Sequence, residues 1–293
     1  MGCNLRSIRF LIGRNLTLFF ENRKNLWLSL SSMAIVLCLY FIFLRDFLIQ
    51  IVLSYGVMVT IGQELTDRLM IAGLLIIMST TTCFGMIQLR VKDSETGIYK
   101  DYLVAPISDF SIFLGYLISS TIVSSGFSSF AMLCSELYFN TKYHHSLSME
   151  SIGKIVFLLI FSALLNSSML LCATDRLKST TTFTTFANLY GTVIGFLTGA
   201  YLPYSFYDEW LRKILIFFPL TQLTSLIRQL VIVDIKKKDW GQLDYSTIYD
   251  SFGVQLTYKD SIVSSKQQWS WLLIVLMVII CYLWKMKSRK IDY

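Results

Sequence analysis

Few residues of this sequence have the types and spacing that catalysis or metal binding requires. His144 and His145 are the only histidines, and as neighbours their side chains diverge, with no HExxH or ExxH pattern nearby. The sequence contains no GxxxxGK[ST] stretch that could cradle ATP phosphates. The six cysteines lack metal-ligand or CxxC spacing and are interpreted as small apolar residues of helices. The sequence therefore predicts a protein that is not itself an enzyme and binds no metal or cofactor.

Polar side chains within the long apolar stretches are the candidates for a substrate path. Asn166, Ser167 and Ser168 follow one another in one stretch, and Asn188 lies in the next. Small hydroxyl residues often allow helices to pack closely, whereas a buried amide needs a partner. Two interpretations stay open, helix packing or the lining of a polar cavity. Glu136, at the end of another stretch, is expected to snorkel to water.

The composition indicates that lipid is the solvent of this chain. Of 293 residues, 54% are hydrophobic and only 15% are charged, against about 25% charged in soluble domains. The net charge of +7 comes from basic residues clustered at both ends and between apolar runs. This distribution is typical of membrane orientation and not of a basic groove for nucleic acid.

Intervals between charged residues locate the membrane spans, since a charge is costly at the bilayer centre. A helix needs about 20 apolar residues to cross. The sequence predicts an all-α polytopic membrane protein, one transmembrane domain over residues 1–293 with six spans. The spans are expected at about 26–44, 69–89, 110–135, 155–174, 181–202 and 267–284.

A seventh apolar segment, Phe47–Gln63, is shorter and is bounded by Asp46 and Glu64. Both chain ends are strongly basic and are expected in the cytoplasm, which requires an even number of crossings. The segment is therefore predicted to be an outward loop or a partly embedded helix. The protein is expected in the cell membrane with both termini cytoplasmic.

Residues 4–25 precede the first span and have helical periodicity. Apolar side chains recur at steps of three and four, and basic or small ones lie on the opposite face. The pattern predicts an interfacial amphipathic helix with its arginines at the lipid headgroups, the alternative being an ordinary juxtamembrane tail. The apolar stripe is Leu5, Ile8, Ile12, Leu16 and Phe19, and the other face carries Arg6, Gly13, Arg14 and Thr17.

The first of two regions marked by proline is the loop 90–108. Asp93 or Ser94 could cap a short helix there, and Pro106 would end it. Such a charged helix between two spans could contact a cytoplasmic partner; a solvated connection without a partner is the alternative.

The second region, 203–266, lies between the last two predicted spans. It contains the apolar stretch Ile214–Ile227, which is too short to cross and which Pro219 interrupts. This pattern predicts an outward re-entrant or interfacial helical hairpin that packs on the bundle.

The motifs of these two regions carry a resemblance to a known family. The loop contains Glu95-Thr96-Gly97 and Leu103-Val104-Ala105-Pro106-Ile107-Ser108, and Leu114-Gly115 follows it. The second region contains Pro203, Trp210-Leu211, Phe218-Pro219-Leu220-Thr221 and Arg228, and Gly199 precedes it. In this order, over roughly residues 4–290, the sequence resembles the permease subunits of type-two ATP-binding-cassette exporters, with the bacterial drug, toxin and pigment exporters as the nearest branch. Ile98-Tyr99-Lys100 departs from the family pattern, which more often has Thr or Ser after the glycine.

The resemblance implies a function and a set of partners. The chain would be the membrane subunit of an exporter for an amphiphilic small molecule, lipid-like toxin or peptide. Two copies of a separate P-loop ATPase would bind the ATP and Mg²⁺, and a second permease, identical or related, would share the pathway in the bilayer. The alternatives are export of polysaccharide or teichoic acid, or a channel or scaffold without ATP. An ion-coupled carrier is disfavoured because the predicted spans have essentially no carboxylates.

The resemblance also implies roles for individual residues. Contact with the ATPase would fall to the coupling residues Asp93, Glu95, Gly97, Tyr102 and Pro106. The external hairpin would be marked by Pro203, Trp210, Pro219 and Arg228.

Overall fold

The computed structural model describes residues 5–21, 34–35, 37–105, 107–236, 246–258 and 261–288. Helices dominate these residues, and a short antiparallel hairpin of β1 (Thr257–Tyr258) and β2 (Ser261–Ile262) is added near the end. The helices are α1 (Leu5–Glu21), α2 (Leu37–Ser54), α3 (Val59–Glu95), α4 (Ile98–Val104), α5 (Asp109–Tyr143), α6 (Met149–Thr174), α7 (Thr180–Leu197), α8 (Glu209–Phe217), α9 (Pro219–Lys236), α10 (Ser246–Ser251) and α11 (Ser265–Ser288).

The bundle is built around α3. Within the described residues, five helices are long and apolar enough to cross a membrane: α2, α3, α5, α6 and the Ser265–Tyr282 part of α11. In α3, 89% of the most apolar window is buried inside the protein, which is expected of a helix that is apolar on all its faces. The helices α5, α6, α7 and α9 pack against it. The prediction of an all-α polytopic membrane protein is confirmed.

The predicted fifth span corresponds to α7, which has a different character. It is 18 residues long, about 27 Å at 1.5 Å per residue, but its threonines make it less apolar than the five helices above. After α7, α8 and α9 meet at an angle of 89°. This bent pair counts as a sixth candidate span only if its two halves cross together.

The first two spans extend past the charges that were predicted to bound them. The helix α2 contains a π-helical segment, Tyr40–Leu44, and continues past Arg45 to Ser54. Arg45 was predicted to end an apolar interval, but it lies inside a helix. There it pairs with Asp67 of α3. The segment Phe47–Gln63 forms the last part of α2 and the first turn of α3. The start of the predicted first span, 26–33, lies outside the described residues.

Local sequence explains where several helices begin. Ser108 precedes α5 and accepts a hydrogen bond from the backbone N–H of Ser111, and Ser148 does the same for Ser151 at the start of α6. Such caps satisfy a backbone donor that the first turn of a helix leaves free. We call the end of the bundle where α3 finishes at Glu95 the lower end, and the end where α3 begins at Val59 the upper end.

Candidate functional site

At the lower end, a buried carboxylate joins α1, α3 and α5. Asp93, in the last turn of α3, is only 4% exposed. Arg14 of α1 donates to both its oxygens, Nη1 to Oδ2 at 2.7 Å and Nη2 to Oδ1 at 2.9 Å. The hydroxyl of Tyr116 in α5 donates to Oδ2 as well. Asp93 is therefore satisfied within the chain, and Arg14, which was expected at the headgroups, is its partner.

The same arginine reaches the short helix α4. Its guanidinium carbon lies 5.5 Å from the ring centroid of Tyr102, within the range of a cation–π contact. Burial by itself would lower the pKa of Arg14, but its hydrogen bonds and charge attraction to Asp93 outweigh this and raise the pKa above its ordinary value. Burial raises the pKa of Tyr102. Both side chains therefore keep their protons at neutral pH.

The turn from α3 into α4 depends on Gly97, whose φ of +85° is in the left-handed region that favours glycine. After it, α4 presents apolar side chains away from the bundle, with Ile98 37% and Val104 89% exposed. Glu95, also exposed, accepts a hydrogen bond from the backbone N–H of Thr180 at 3.2 Å and so contacts the start of α7. Pro106 lies outside the described residues.

The candidate path residues of α6 are buried among helices. The hydroxyl of Ser167 donates to Ser120 of α5 at 2.8 Å, and Ser168 donates to the carbonyl of Leu164 one turn earlier. The Asn166 amide nitrogen donates to Ser162 at 3.3 Å. Its Oδ1 is a buried acceptor without a hydrogen-bond partner in the described part of the chain. The contacts of Ser167 and Ser168 are those of helix packing.

Asn188 differs from this group because it is exposed on α7. Its neighbours on that side of the helix are threonines, whose hydroxyls bond to backbone carbonyls of their own helix. The exposed polar residues of α7 are Thr181, Thr182, Thr184, Thr185, Asn188 and Thr192. They give a membrane-length helix an unusually polar outer surface.

At the upper end, Arg68 is the centre of a buried ionic cluster that the sequence did not reveal. It donates to Glu64 at 3.0 Å, to Glu136 at 2.8 Å and to the carbonyl of His145 at 2.8 Å. Glu136 also accepts from the backbone N–H of Leu147. The expectation that Glu136 snorkels to water is wrong, because these donors hold it at 7% exposure.

Another buried carboxylate on α3 is that of Asp67, the residue just before Arg68. Asp67 is fully buried and accepts hydrogen bonds from Tyr40 at 2.7 Å and Arg45 at 2.8 Å in α2. From α5 it accepts from Tyr143 at 2.6 Å and Lys142 at 3.2 Å. These bonds tie the top of α2 and α5 to α3.

The predicted hairpin residues divide into buried anchors and exposed ones. Arg228 of α9 is 3% exposed, and it donates to three backbone carbonyls: Leu69 at 3.0 Å, Phe252 at 2.6 Å and Gly199 at 2.9 Å. Pro203 is buried, and Pro219 is the first residue of α9, where its missing N–H costs nothing. Trp210 of α8 is 62% exposed.

The described residues include no group of three His, Cys, Asp or Glu side chains that could hold a metal ion. The ionic clusters above pair acids with bases across helices, which is an arrangement that fixes helices together.

Comparison with known proteins identifies this architecture. A family model described as ABC-2 type transporter matches residues 6–232, which is most of the chain. This chain belongs to the ABC-2 type transporter family. A search of curated proteins gave no match.

The ABC-2 membrane domain is a permease component of ABC transporters and works with an ATPase subunit in a membrane. The family resemblance drawn from the two motif regions is confirmed. Among the coupling residues, the structure brings Asp93 and Tyr102 together around Arg14, and it leaves Glu95 at the surface. Arg14 and Tyr116 were missed as partners of Asp93, and the separation of 79 residues between Arg14 and Asp93 offers no local signal for such a pair.

Proposed function

We propose that this ABC-2 permease is the membrane subunit of an ATP-driven exporter that moves an amphiphilic small molecule, lipid-like toxin or peptide out of the cell. The observation that carries the proposal is the construction of the lower end. A short helix, α4, is held between two long helices while Val104 and Ile98 stay exposed. We assign this exposed surface of α4 to contact with the ATPase subunit that the ABC-2 family implies.

The lower end is proposed to be cytoplasmic, with both termini there. The start of α7 contacts Glu95. Ala200, three residues after the end of α7, lies so close to Gly73 that a Cβ added at Gly73 would be 2.9 Å from the Ala200 Cβ. Glu95 and Gly73 are about 33 Å apart along α3, close to the bilayer thickness of roughly 30 Å. We therefore take α7 as a crossing despite its threonines.

The last helix supports the same topology. At its beginning, Ser265 donates to Gln229 of α9 at the upper end. Further along, Ile279 packs on the hydrophobic cluster that contains Leu11 of α1. The helix α11 therefore runs toward the end of the bundle that holds α1, as six crossings with both termini on one side require.

The bent pair α8 and α9 is proposed to be an outward re-entrant hairpin. Its bend at Phe218 and its anchoring by Arg228 to Leu69 support an element packed on the bundle and not a separate span. The exposed Trp210 would lie at the outer membrane interface, where tryptophan is favoured.

Two permeases, identical or related, are proposed to enclose the pathway, with two ATPase subunits below. The exposed polar face of α7 around Asn188 supports this, because threonine and asparagine gain little from lipid and can line a shared path. Asn166, Ser167 and Ser168, buried between helices of one chain, are assigned to packing in this arrangement.

The test is purification of this chain together with a candidate P-loop ATPase, one encoded in an adjacent reading frame being the first to try, followed by ATP hydrolysis and transport assays in proteoliposomes. The informative variant is Val104→Asp, which places a charge on the proposed docking surface without disturbing buried contacts. Met149→Asp is the matched control, since Met149 is 85% exposed at the upper end. We expect Val104→Asp to reduce ATPase copurification and transport, and Met149→Asp to leave both unchanged.

Several results would contradict the proposal. If no candidate ATPase copurifies with the wild-type chain, the coupling surface is wrongly assigned. ATP-independent flux through the purified chain would favour a channel, and stimulation only by polysaccharide or teichoic-acid precursors would favour that branch of exporters.

A further inference from the structure

One buried side-chain pair connects α1 to the lower end of α3. Asp93 is four residues before Gly97, so it lies one helical turn from the start of α4. Both its oxygens are occupied by Arg14, and Tyr116 binds Oδ2 as well. Because each oxygen already has a donor and the residue is only 4% exposed, the carboxylate is not available at the surface to contact a partner protein.

The geometry of the pair limits the relative motion of the two helices. A bidentate guanidinium–carboxylate pair is planar and makes two parallel hydrogen bonds, so it resists rotation as well as separation. The contact of Arg14 with the Tyr102 ring adds α4 to the same unit. Through Tyr116, the carboxylate also connects to α5.

Close packing of α1 on α5 reinforces this connection. An added Cβ at Gly115 would lie 2.8 Å from the Cβ of Leu11, so the two helices touch at glycine. One turn further along α1, the buried amide of Asn15 donates to Ser119 at 3.3 Å. The helices α1 and α5 are therefore in close contact at residues before and after Arg14 on α1.

We propose that Arg14 is a positioning residue that makes α1, α4 and the lower ends of α3 and α5 move as one body. Building on the proposed function, this body transmits an ATPase-driven displacement of α4 to the spans. Asp93 then acts inside the permease, not as a direct contact for the ATPase. Energy from ATP reaches the transport pathway efficiently only while the pair is intact.

A further ion pair at the lower end connects different segments from those that Arg14 and Asp93 connect. Arg90 of α3 donates to Asp175 at 2.6 Å and ties α3 to the segment after α6. This pair connects α3 to the segment after α6 and not to α1, so it does not replace the connection made by Arg14. The matched control is Arg9, an exposed arginine of α1, because its replacement removes the same charge from the helix without touching Asp93.

The experiment compares Arg14→Gln, Arg14→Lys and Arg9→Gln in the purified permease–ATPase complex. For Arg14→Gln we expect transport per ATP hydrolysed to fall about tenfold while hydrolysis itself changes less than about twofold. Arg14→Lys keeps the charge but loses the two-pronged geometry, so its transport per ATP should lie between Arg14→Gln and the wild type. Arg9→Gln should match the wild type.

Amide hydrogen exchange gives a readout that does not depend on transport. In Arg14→Gln we expect faster exchange in the part of α1 around Asn15 and in α4, with unchanged exchange in α11. If the wild-type complex shows no ATP-driven transport, the proposed function fails, and the exchange measurement alone decides whether Arg14 joins α1 to α4.

Four results would overturn the inference. They are unchanged transport per ATP in Arg14→Gln, a proportional fall of transport and hydrolysis that indicates lost assembly, wild-type behaviour of Arg14→Lys, and unchanged exchange in α1.

Discussion

Replacing Arg228 by methionine should strongly destabilise the upper half of the bundle. The side chain makes three hydrogen bonds from a charged donor, to the carbonyls of Leu69, Gly199 and Phe252. A hydrogen bond to a charged group contributes about 1.5–3 kcal/mol, and buried carbonyls left without a partner add to the loss. We estimate a combined cost of about 5 kcal/mol, of the order of the whole folding stability of many proteins.

The measurement is the apparent melting temperature of the detergent-solubilised protein, taken at one scan rate because such unfolding is commonly irreversible. With about 2–4 °C per kcal/mol for chains of this size range, Arg228→Met should melt roughly 10 °C or more below the wild type. Arg228→Lys keeps the charge but not the planar fork, so it should lose less.

The matched control for Arg228 is Lys213→Met, which removes an exposed cation paired to Glu209 on the nearby helix α8. Surface ion pairs contribute little, so its melting temperature should stay close to that of the wild type. If Arg228→Met melted within about 2 °C of the wild type, the three carbonyl contacts would not anchor α9 and the reasoning would be refuted.

Two further substitutions test the packing and the charges of the bundle. Gly115→Ala places a Cβ 2.8 Å from that of Leu11 and should displace α1 at a cost of about 1–3 kcal/mol, which faster amide exchange in α1 would show. The control Gly126→Ala, on the same helix with open space around it, should leave the exchange unchanged. Equal exchange in the two variants would contradict the packing of α1 on α5. Arg68→Met leaves buried carboxylates without their cation and should lower the free energy of unfolding by about 3–5 kcal/mol. Adding Glu136→Gln should recover part of the lost melting temperature. No recovery would show that Arg68 and Glu136 are not coupled.

Much of the fold followed from simple patterns in the sequence. The shortage of charged residues required a lipid environment, and helical periodicity before the first span predicted α1. Pro219 marked the break before α9, since proline begins a helix easily, whereas the turn at Gly97 before α4 was shown by the structure. Motif order alone was enough to recognise the ABC-2 family.

The ends of the spans were less predictable because charges were read as boundaries. Arg45 lies within α2, and Arg68 and Glu136 lie within buried parts of α3 and α5. The cost of a charge inside a helix bundle depends on the distance to its partner. A rule that counts intervals between charges has no access to that distance.

The sequence by itself determined the solvent, the helical class, the family and the positions of the turns, because each depends on composition or on residues close together in the chain. The tertiary structure decided which charges are neutralised and which residues are free to meet a partner. Asp93 illustrates the difference: from the sequence it is an exposed loop acid, and in the fold it is a buried acceptor for Arg14. Hydrogen bonds between residues far apart in the chain exist only once the helices have packed.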